Sequence, residues 1–448
     1  MIRSAVLLGI ESVAVTITAR KSAGPLQIVG LPEVAAREAR VRVKSSLAQF
    51  GVEHEGVTVE IVPAVTSGQA ASLDLAIALA AARWKLEAIE EVACTVVVGS
   101  LDLSGQVQPV RGILAHARSV GRMIVPRKNA EAASRCPLVF SCSTLGEALE
   151  GQCAREPSRR LVESDAVSEI SELPSAAARR ALEISAAGQH PLLIVGPPGC
   201  GKTMAARRLP GILPRLSGQE LLDVATIYGA AGLGSSGDVL RPFRAPHHTV
   251  SEIGLVGGGG EPRPGEVTLA HHGVLFLDEL PEYRRAVLSG LQRVLRERQV
   301  VVTQRDVRVV MPADPLLLVG AANGCGCGYL GSEARRCACT AERLASWRKR
   351  AAEYEAMFAM RVTLVEGGGS KGNESSAVVR ARVIKARKRL ASGEAPPLGA
   401  AAQRMLDEVF ADKIKSVASV ARTIAVLDEA REIEPEHMAE AIALRVGE

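Results

Sequence analysis

The chain has 448 residues, 47% of them apolar, and a formal net charge of +5. That is enough apolar material for about three folded units, and no apolar stretch reaches the ~18–20 residues of a membrane span. Aromatic residues make up 3% and there are nine cysteines, so base-stacking platforms are scarce and a disulfide scaffold is not expected. The first residues lack the long apolar core and small-residue cleavage site of a secretory signal, which predicts a cytoplasmic protein without membrane attachment.

Residues 1–150 alternate short apolar strands with helical stretches and are expected to form a self-contained α/β domain. Val57–Val62 alternates at period two and predicts a strand, and Leu73–Arg83 is an Ala- and Leu-rich helix. Thr95–Ser100 and Leu101–Val107 read as a strand pair turning at Ser104-Gly105. Arg111–Val120 is expected to be helical and Arg122–Pro126 extended. Residues 151–174 lose hydrophobic periodicity and gain charge and Ser, which predicts a linker.

The next unit, 175–366, carries the most informative segment. Gly196-Pro197-Pro198-Gly199-Cys200-Gly201-Lys202-Thr203 fits G-x-x-x-x-G-K-[ST], with an apolar strand, Pro191–Val195, before it and a helix opening over Met204–Arg208 after it. In that context the glycines let backbone N–H groups surround phosphate oxygens at a helix N-terminus. Lys202 is then expected on the β- and γ-phosphates of ATP and the Thr203 hydroxyl on Mg²⁺. Cys200 occupies a loop position of little chemical demand.

Gly273–Leu280 (GVLFLDEL) is apolar enough to be a strand buried on both faces, ending in two carboxylates. Asp278 is expected to complete the Mg²⁺ shell and Glu279 to activate water. The competing reading makes Asp278 the N-cap of a helix beginning near Pro281. A third strand, Pro315–Ala321, delivers Asn323, a polar residue placed to sense the γ-phosphate.

Cys325, Cys327, Cys337 and Cys339 form two close pairs that can surround one Zn²⁺, although C-x-C is tighter than the usual spacing and a reduced thiol cluster fits equally. Cys94, Cys136, Cys142 and Cys153 are scattered and read as small buried hydrophobes. Gln299–Met311 predicts a hairpin with Arg305 and Arg308 near its tip, either following nucleic-acid phosphates or simply solvated. His247 and His248 are read as part of a pore or interface loop, and His271 and His272 as turn residues. Residues 367–376 (GGGSKGNESS) read as a flexible break, and 377–448 as a small helical bundle.

With these residues in place, the chain resembles the YifB/ComM family of Mg-chelatase-like AAA+ ATPases along most of its length. The matching segments are Ile28–Leu47, Arg241–Thr249 (RPFRAPHHT), Gly257–Glu282, the cysteine segment after Asn323 and Val420–Ala425 (VARTIA). The resemblance implies a Lon-protease-like first domain, a P-loop AAA+ core and a C-terminal helical lid. It also implies a homohexameric ring acting on branched or single-stranded DNA, as a helicase driving branch migration in natural transformation.

Departures from the family pattern fall on catalytic positions. The Lon-type Ser–Lys dyad is not matched: Ser72 lies one place from the nucleophile, and Arg111-Gly112-Ile113-Leu114-Ala115-His116-Ala117 contains no Lys. Tyr354–Leu364 aligns with LLDRFDMRVEL so that Met357 replaces an arginine finger and Ala356 and Ala359 replace aspartates. Phe410-Ala411-Asp412 falls where the resemblance places a sensor arginine. The expectations are therefore a DNA-acting motor, a ring subunit that binds ATP but hydrolyses it poorly, or a chelatase-type motor subunit.

Overall fold

The computed structural model describes residues 1–65, 67–83, 95–159, 161–164, 169–173, 175–234, 238–304, 307–314, 316–365, 372–409 and 413–446. Cys94, Arg305 and the Phe410–Asp412 segment lie outside the described residues, as does most of the Gly-rich break before Ser376.

The N-terminal part is built on an eight-stranded mixed sheet. Its order is Ala154–Glu156, Leu138–Cys142, Arg122–Pro126, Val96–Val97, Ile2–Leu8, Glu11–Lys21, Val57–Val62 and Gln27–Val29. Helices Glu33–Gln49 and Asp74–Arg83 close one face over a core that includes Ile17, Leu47, Val59 and Leu79. A hairpin of Ser100–Leu101 with Val107–Gln108 turns through Asp102, whose carboxylate accepts from the Ser104 and Gln106 N–H groups. The helix expected over Arg111–Val120 is confined to Ile113–Ala117, because Gly112 starts it in a left-handed conformation.

The segment expected as a linker is partly ordered. Ala154–Glu156 extends the N-terminal sheet, Val162–Ser164 pairs in parallel with Asp238–Leu240, and Ile170–Glu172 forms a 3₁₀ turn. Backbone pairing here comes from distant partners, so local periodicity carried no trace of it.

The second sheet has five parallel strands in the order Phe243–Arg244, Val274–Leu277, Leu317–Ala322, Leu192–Val195 and Met360–Thr363. The three central strands are buried at every residue, as their near-continuous apolar runs require. Gly320 is needed in the middle strand: a Cβ there would lie 2.3 Å from Leu280 Cδ1 and 2.5 Å from Phe358 Cζ. One apolar core runs from this sheet through helix Ala176–Gly188 into helices Ser376–Ala391, Ile414–Leu427 and Pro435–Ala443. Among the described residues, no helix is long and apolar enough to cross a membrane.

Two imidazoles are locked into these cores. His190 Nε2 pairs with Thr423 Oγ1 at 2.8 Å, tying the five-stranded sheet to the VARTIA helix, and His116 Nδ1 pairs with Ser12 Oγ at 2.8 Å. Burial pushes both down to about 4 from 6.5. The unfolded chain therefore takes up protons that the folded chain refuses as pH falls from about 6.5 toward 4, so stability is full above that window and drops through it. Each imidazole accounts for at most about 3 kcal/mol. Urea unfolding is expected to show a lower midpoint at pH 5 than at pH 7, and equal midpoints would contradict the burial of neutral imidazoles.

Candidate nucleotide-binding site

The three motifs follow three neighbouring parallel strands and so meet at one edge of the sheet. The P-loop leaves Val195, Asp278 follows Leu277 and Asn323 follows Ala322, with Val195 in register with Ala322. This crevice at the carboxyl ends of the strands is where open parallel sheets bind ligands.

Gly199 and Gly201 both adopt positive φ, at 81° and 92°, which turns the loop into the N-terminus of helix Lys202–Ala206. Gly196 is fixed by close approach, since a Cβ would meet Leu364 O and Cys200 Sγ at 2.7 Å. The resulting concavity of backbone N–H groups is the feature a phosphate chain needs. Lys202 Nζ donates to Gly196 O at 2.7 Å, Pro197 O at 2.9 Å and Asn323 Oδ1 at 3.1 Å. Burial lowers its pKa below the ordinary lysine range, opposed by Cys200, Asp278 and Glu279.

Thr203 Oγ1 donates to Asp278 Oδ2 at 2.8 Å, so the two oxygens expected on Mg²⁺ already face each other. Asp278 Oδ1 accepts from the Glu279 N–H at 2.9 Å. The N-cap reading of Asp278 does not hold: the following 3₁₀ turn, Leu280–Glu282, begins after Glu279, and no side chain caps it. Glu279 is itself left-handed, φ 49° and ψ 46°, a conformation non-glycine residues seldom adopt and one that marks functional corners.

His248, read from the sequence only as part of a loop, places Nδ1 3.2 Å from Glu279 Oε2. It follows the strand Phe243–Arg244, which lies beside the Asp278 strand. A histidine four residues beyond a strand was the available signal, but only the strand order reveals its partner. Trp347 Nε1 donates to Asn323 O at 3.3 Å, fixing the residue that also contacts Lys202.

The cysteine segment folds beside Asn323. Cys325, Cys327 and Cys337 have Sγ–Sγ separations of 3.3–3.6 Å, and all four thiols, Cys339 included, lie within 4.8 Å of one another. Zn–S bonds of about 2.3 Å in a tetrahedron place sulfurs roughly 3.8 Å apart, so the donor set fits one Zn²⁺. The backbone N–H groups of Tyr329 and Ala338 hold the Cys327 thiol down to about 6, favouring the thiolate that a metal needs.

The hairpin is present as strands Gln299–Gln304 and Val307–Pro312, with Arg308 exposed and opposite Thr303. Cys136 and Cys142 are buried as expected, and Cys153 is half-buried.

Fold and site together define a P-loop ATPase of the AAA+ type. Residues 170–362 match the family model for magnesium chelatase subunit ChlI, and residues 13–129 match a second, for subunit ChlI of Mg-chelatase. The chain is 33% identical to the YifB protein of Salmonella typhimurium, over 98% of this chain and 95% of that one. It is 34% identical to the competence protein ComM of Haemophilus influenzae, over 85% and 80%. A shorter match, 30% identical over 130 residues, joins it to Lon protease 2 of Bacillus subtilis, covering 27% of this chain and 24% of that protein. The chain belongs to the YifB/ComM family of Mg-chelatase-like proteins.

Replacing Lys202 by Ala removes a half-buried cation whose donors face the loop. Lys202→Ala is expected to weaken ATP binding about 10- to 100-fold, the worth of one charged hydrogen-bonding group. Titration with a fluorescent ATP analogue measures it, and an unchanged affinity would contradict the placement.

Proposed function

We propose that the chain is a ring-forming, DNA-acting ATPase in which Glu279 is the general base. The observation that supports this most strongly is the convergence of Lys202, Thr203, Asp278, Glu279 and Asn323 on the carboxyl edge of one parallel sheet. Thr203 and Asp278 would hold Mg²⁺, which neutralises charge on the β- and γ-phosphates. Lys202 would exchange loop carbonyls for phosphate oxygens, Asn323 would orient against the γ-phosphate, and Glu279 would take the proton of the attacking water. His248 would set the direction of the Glu279 carboxylate.

DNA as partner is favoured by the ComM relative's designation as a competence protein and by the exposed Arg308 on its hairpin. A homo-oligomeric ring, with six subunits as the working number, is favoured by helix Ala341–Glu355. Tyr354 is the one buried residue among its fifteen, leaving a long face open to a neighbour. The same reading divides the chain into a Lon-like domain (1–150), a connecting segment (151–174), the ATPase core (175–366), a short break (367–376) and a helical lid (377–448).

A second reading, a ring subunit that binds ATP and hydrolyses it poorly, rests on Met357. This side chain is half-buried against the core around Phe358 and Tyr354, and it stands at the aligned finger position. Losing an arginine finger costs about 10³–10⁵ in rate. Arg350, on the preceding helix, donates to Pro281 O.

Steady-state ATPase with forked or four-way DNA separates the two. A wild-type rate that collapses in Glu279→Gln is expected for the motor. Background rates in both, rising in Met357→Arg, would favour the poorly hydrolysing ring and sink the motor. For the cysteine cluster, elemental analysis is expected to give about one Zn per chain, lost in Cys337→Ser; protein that purifies metal-free without chelator would contradict it.

A further inference from the structure

The N-terminal part meets the ATPase sheet along a seam. Helix Ile113–Ala117 packs on helix Gly218–Ala231, Leu114 enters a cluster with Leu221 and Val224, and the Gly112 N–H donates to Gly229 O at 3.0 Å. Beside this contact lies a cavity of about 520 Å³ lined by Glu11, Ser12 and Arg118 from one side and Asp223, Thr226 and His271 from the other.

Three metal-binding side chains converge beside the cavity, two of which, Asp223 and His271, line it. One donor atom from each of Asp223, His271 and His272 lies within 4.8 Å of the others. His271 and His272 close the turn that enters the Asp278 strand, and their rings sit 3.9 Å apart. His271 is only 6% exposed, yet its Nδ1 is buried without a hydrogen-bond partner. Burying an imidazole nitrogen unpaired costs about 1–3 kcal/mol, and such an orphan is uncommon in a well-packed seam.

The surroundings are arranged as the second layer of a metal site. His272 Nε2 lies 3.8 Å from Asp223 Oδ2, while its Nδ1 lies 3.5 Å from Glu220 Oε1. A small closure would make the carboxylate–histidine pair that fixes tautomer and direction in metal sites. Asp223 Oδ1 accepts from Arg118 and Gln219, both at 3.0 Å, which leaves Oδ2 for the cluster. Arg241, the other nearby cation, is held by Glu163 at 3.7 Å and donates to the backbone oxygens of His272 and Pro214.

We propose that Asp223, His271 and His272 bind one divalent transition-metal ion, Zn²⁺ by donor type, at the seam between the N-terminal part and the ATPase sheet. Two imidazoles and a carboxylate leave a position for water, supplied from the cavity. Donors must draw together to about 3.0–3.5 Å to share an ion with bonds near 2.1 Å, and His272 Nε2 and Asp223 Oδ2 start from 3.8 Å. The site does not depend on the nucleotide reading above.

The test separates this site from the cysteine cluster. Full-length protein carrying Cys325→Ser and Cys337→Ser is loaded with Zn²⁺, desalted and assayed for metal. About one Zn per chain is expected to remain, falling at least tenfold when His271→Asn and His272→Asn are added. Glu220→Gln should weaken retention about 10- to 100-fold. In the same cysteine variant, Co²⁺ gives an independent readout. His272→Gln should remove the weak visible bands of a nitrogen- and oxygen-bound ion. The proposal is overturned if the cysteine variant retains no Zn²⁺, if retention is indifferent to His271 and His272, if it tracks His247→Asn and His248→Asn instead, or if the Co²⁺ bands survive His272→Gln.

Discussion

The parallel pairing of Leu317–Ala322 between Leu192–Val195 and Val274–Leu277 is the constraint on which the rest of the site depends. With the middle strand in register, the P-loop, Asp278 and Asn323 all emerge at one edge, and the 2.8 Å contact of Thr203 with Asp278 follows. The middle strand tolerates no bulk at Gly320, where Leu280 and Phe358 close in from neighbouring segments. A side chain there would push apart the corner that carries Glu279 and the segment that carries Met357. Packing behind the sheet and chemistry at its edge are thus the same problem.

The other organising contact is the seam. Hydrophobic burial around Leu114 and Leu221 brings the two parts together, and the Arg118–Asp223 pair at 3.0 Å lies at its rim. An exposed pair of this kind adds little stability by itself. Its value lies in orienting Asp223 toward the two histidines that precede the Asp278 strand. The seam meets strand Val274–Leu277 at its amino end, and the nucleotide edge lies at its carboxyl end.

Much of the site was legible because its chemistry is local in sequence. Glycine spacing, Lys202 and Thr203 lie within eight residues, and the buried strands announce themselves as unbroken apolar runs. What could not be read depends on distant neighbours. The strand Val162–Ser164 exists because Asp238–Leu240 lies beside it, and nothing in its own periodicity says so. His248 meets Glu279 because their strands are adjacent in the sheet. The helix after Arg111 is shorter than its composition suggests because Gly112 takes a left-handed turn against Leu7. Asp278 fits the cap pattern in sequence, but the left-handed Glu279 breaks the path into a helix and leaves the carboxylate to Thr203.

The most direct measurement is the Mg²⁺ dependence of ATP binding, because the facing oxygens of Thr203 and Asp278 have a clear use only if they share a cation with the phosphates. Wild-type protein should bind ATP more tightly with Mg²⁺ than in EDTA, and Asp278→Asn should erase most of that gain while leaving metal-free binding nearly unchanged. A wild-type affinity indifferent to Mg²⁺, or an equal Mg²⁺ gain in Asp278→Asn, would contradict the assignment of this edge as a Mg·ATP site.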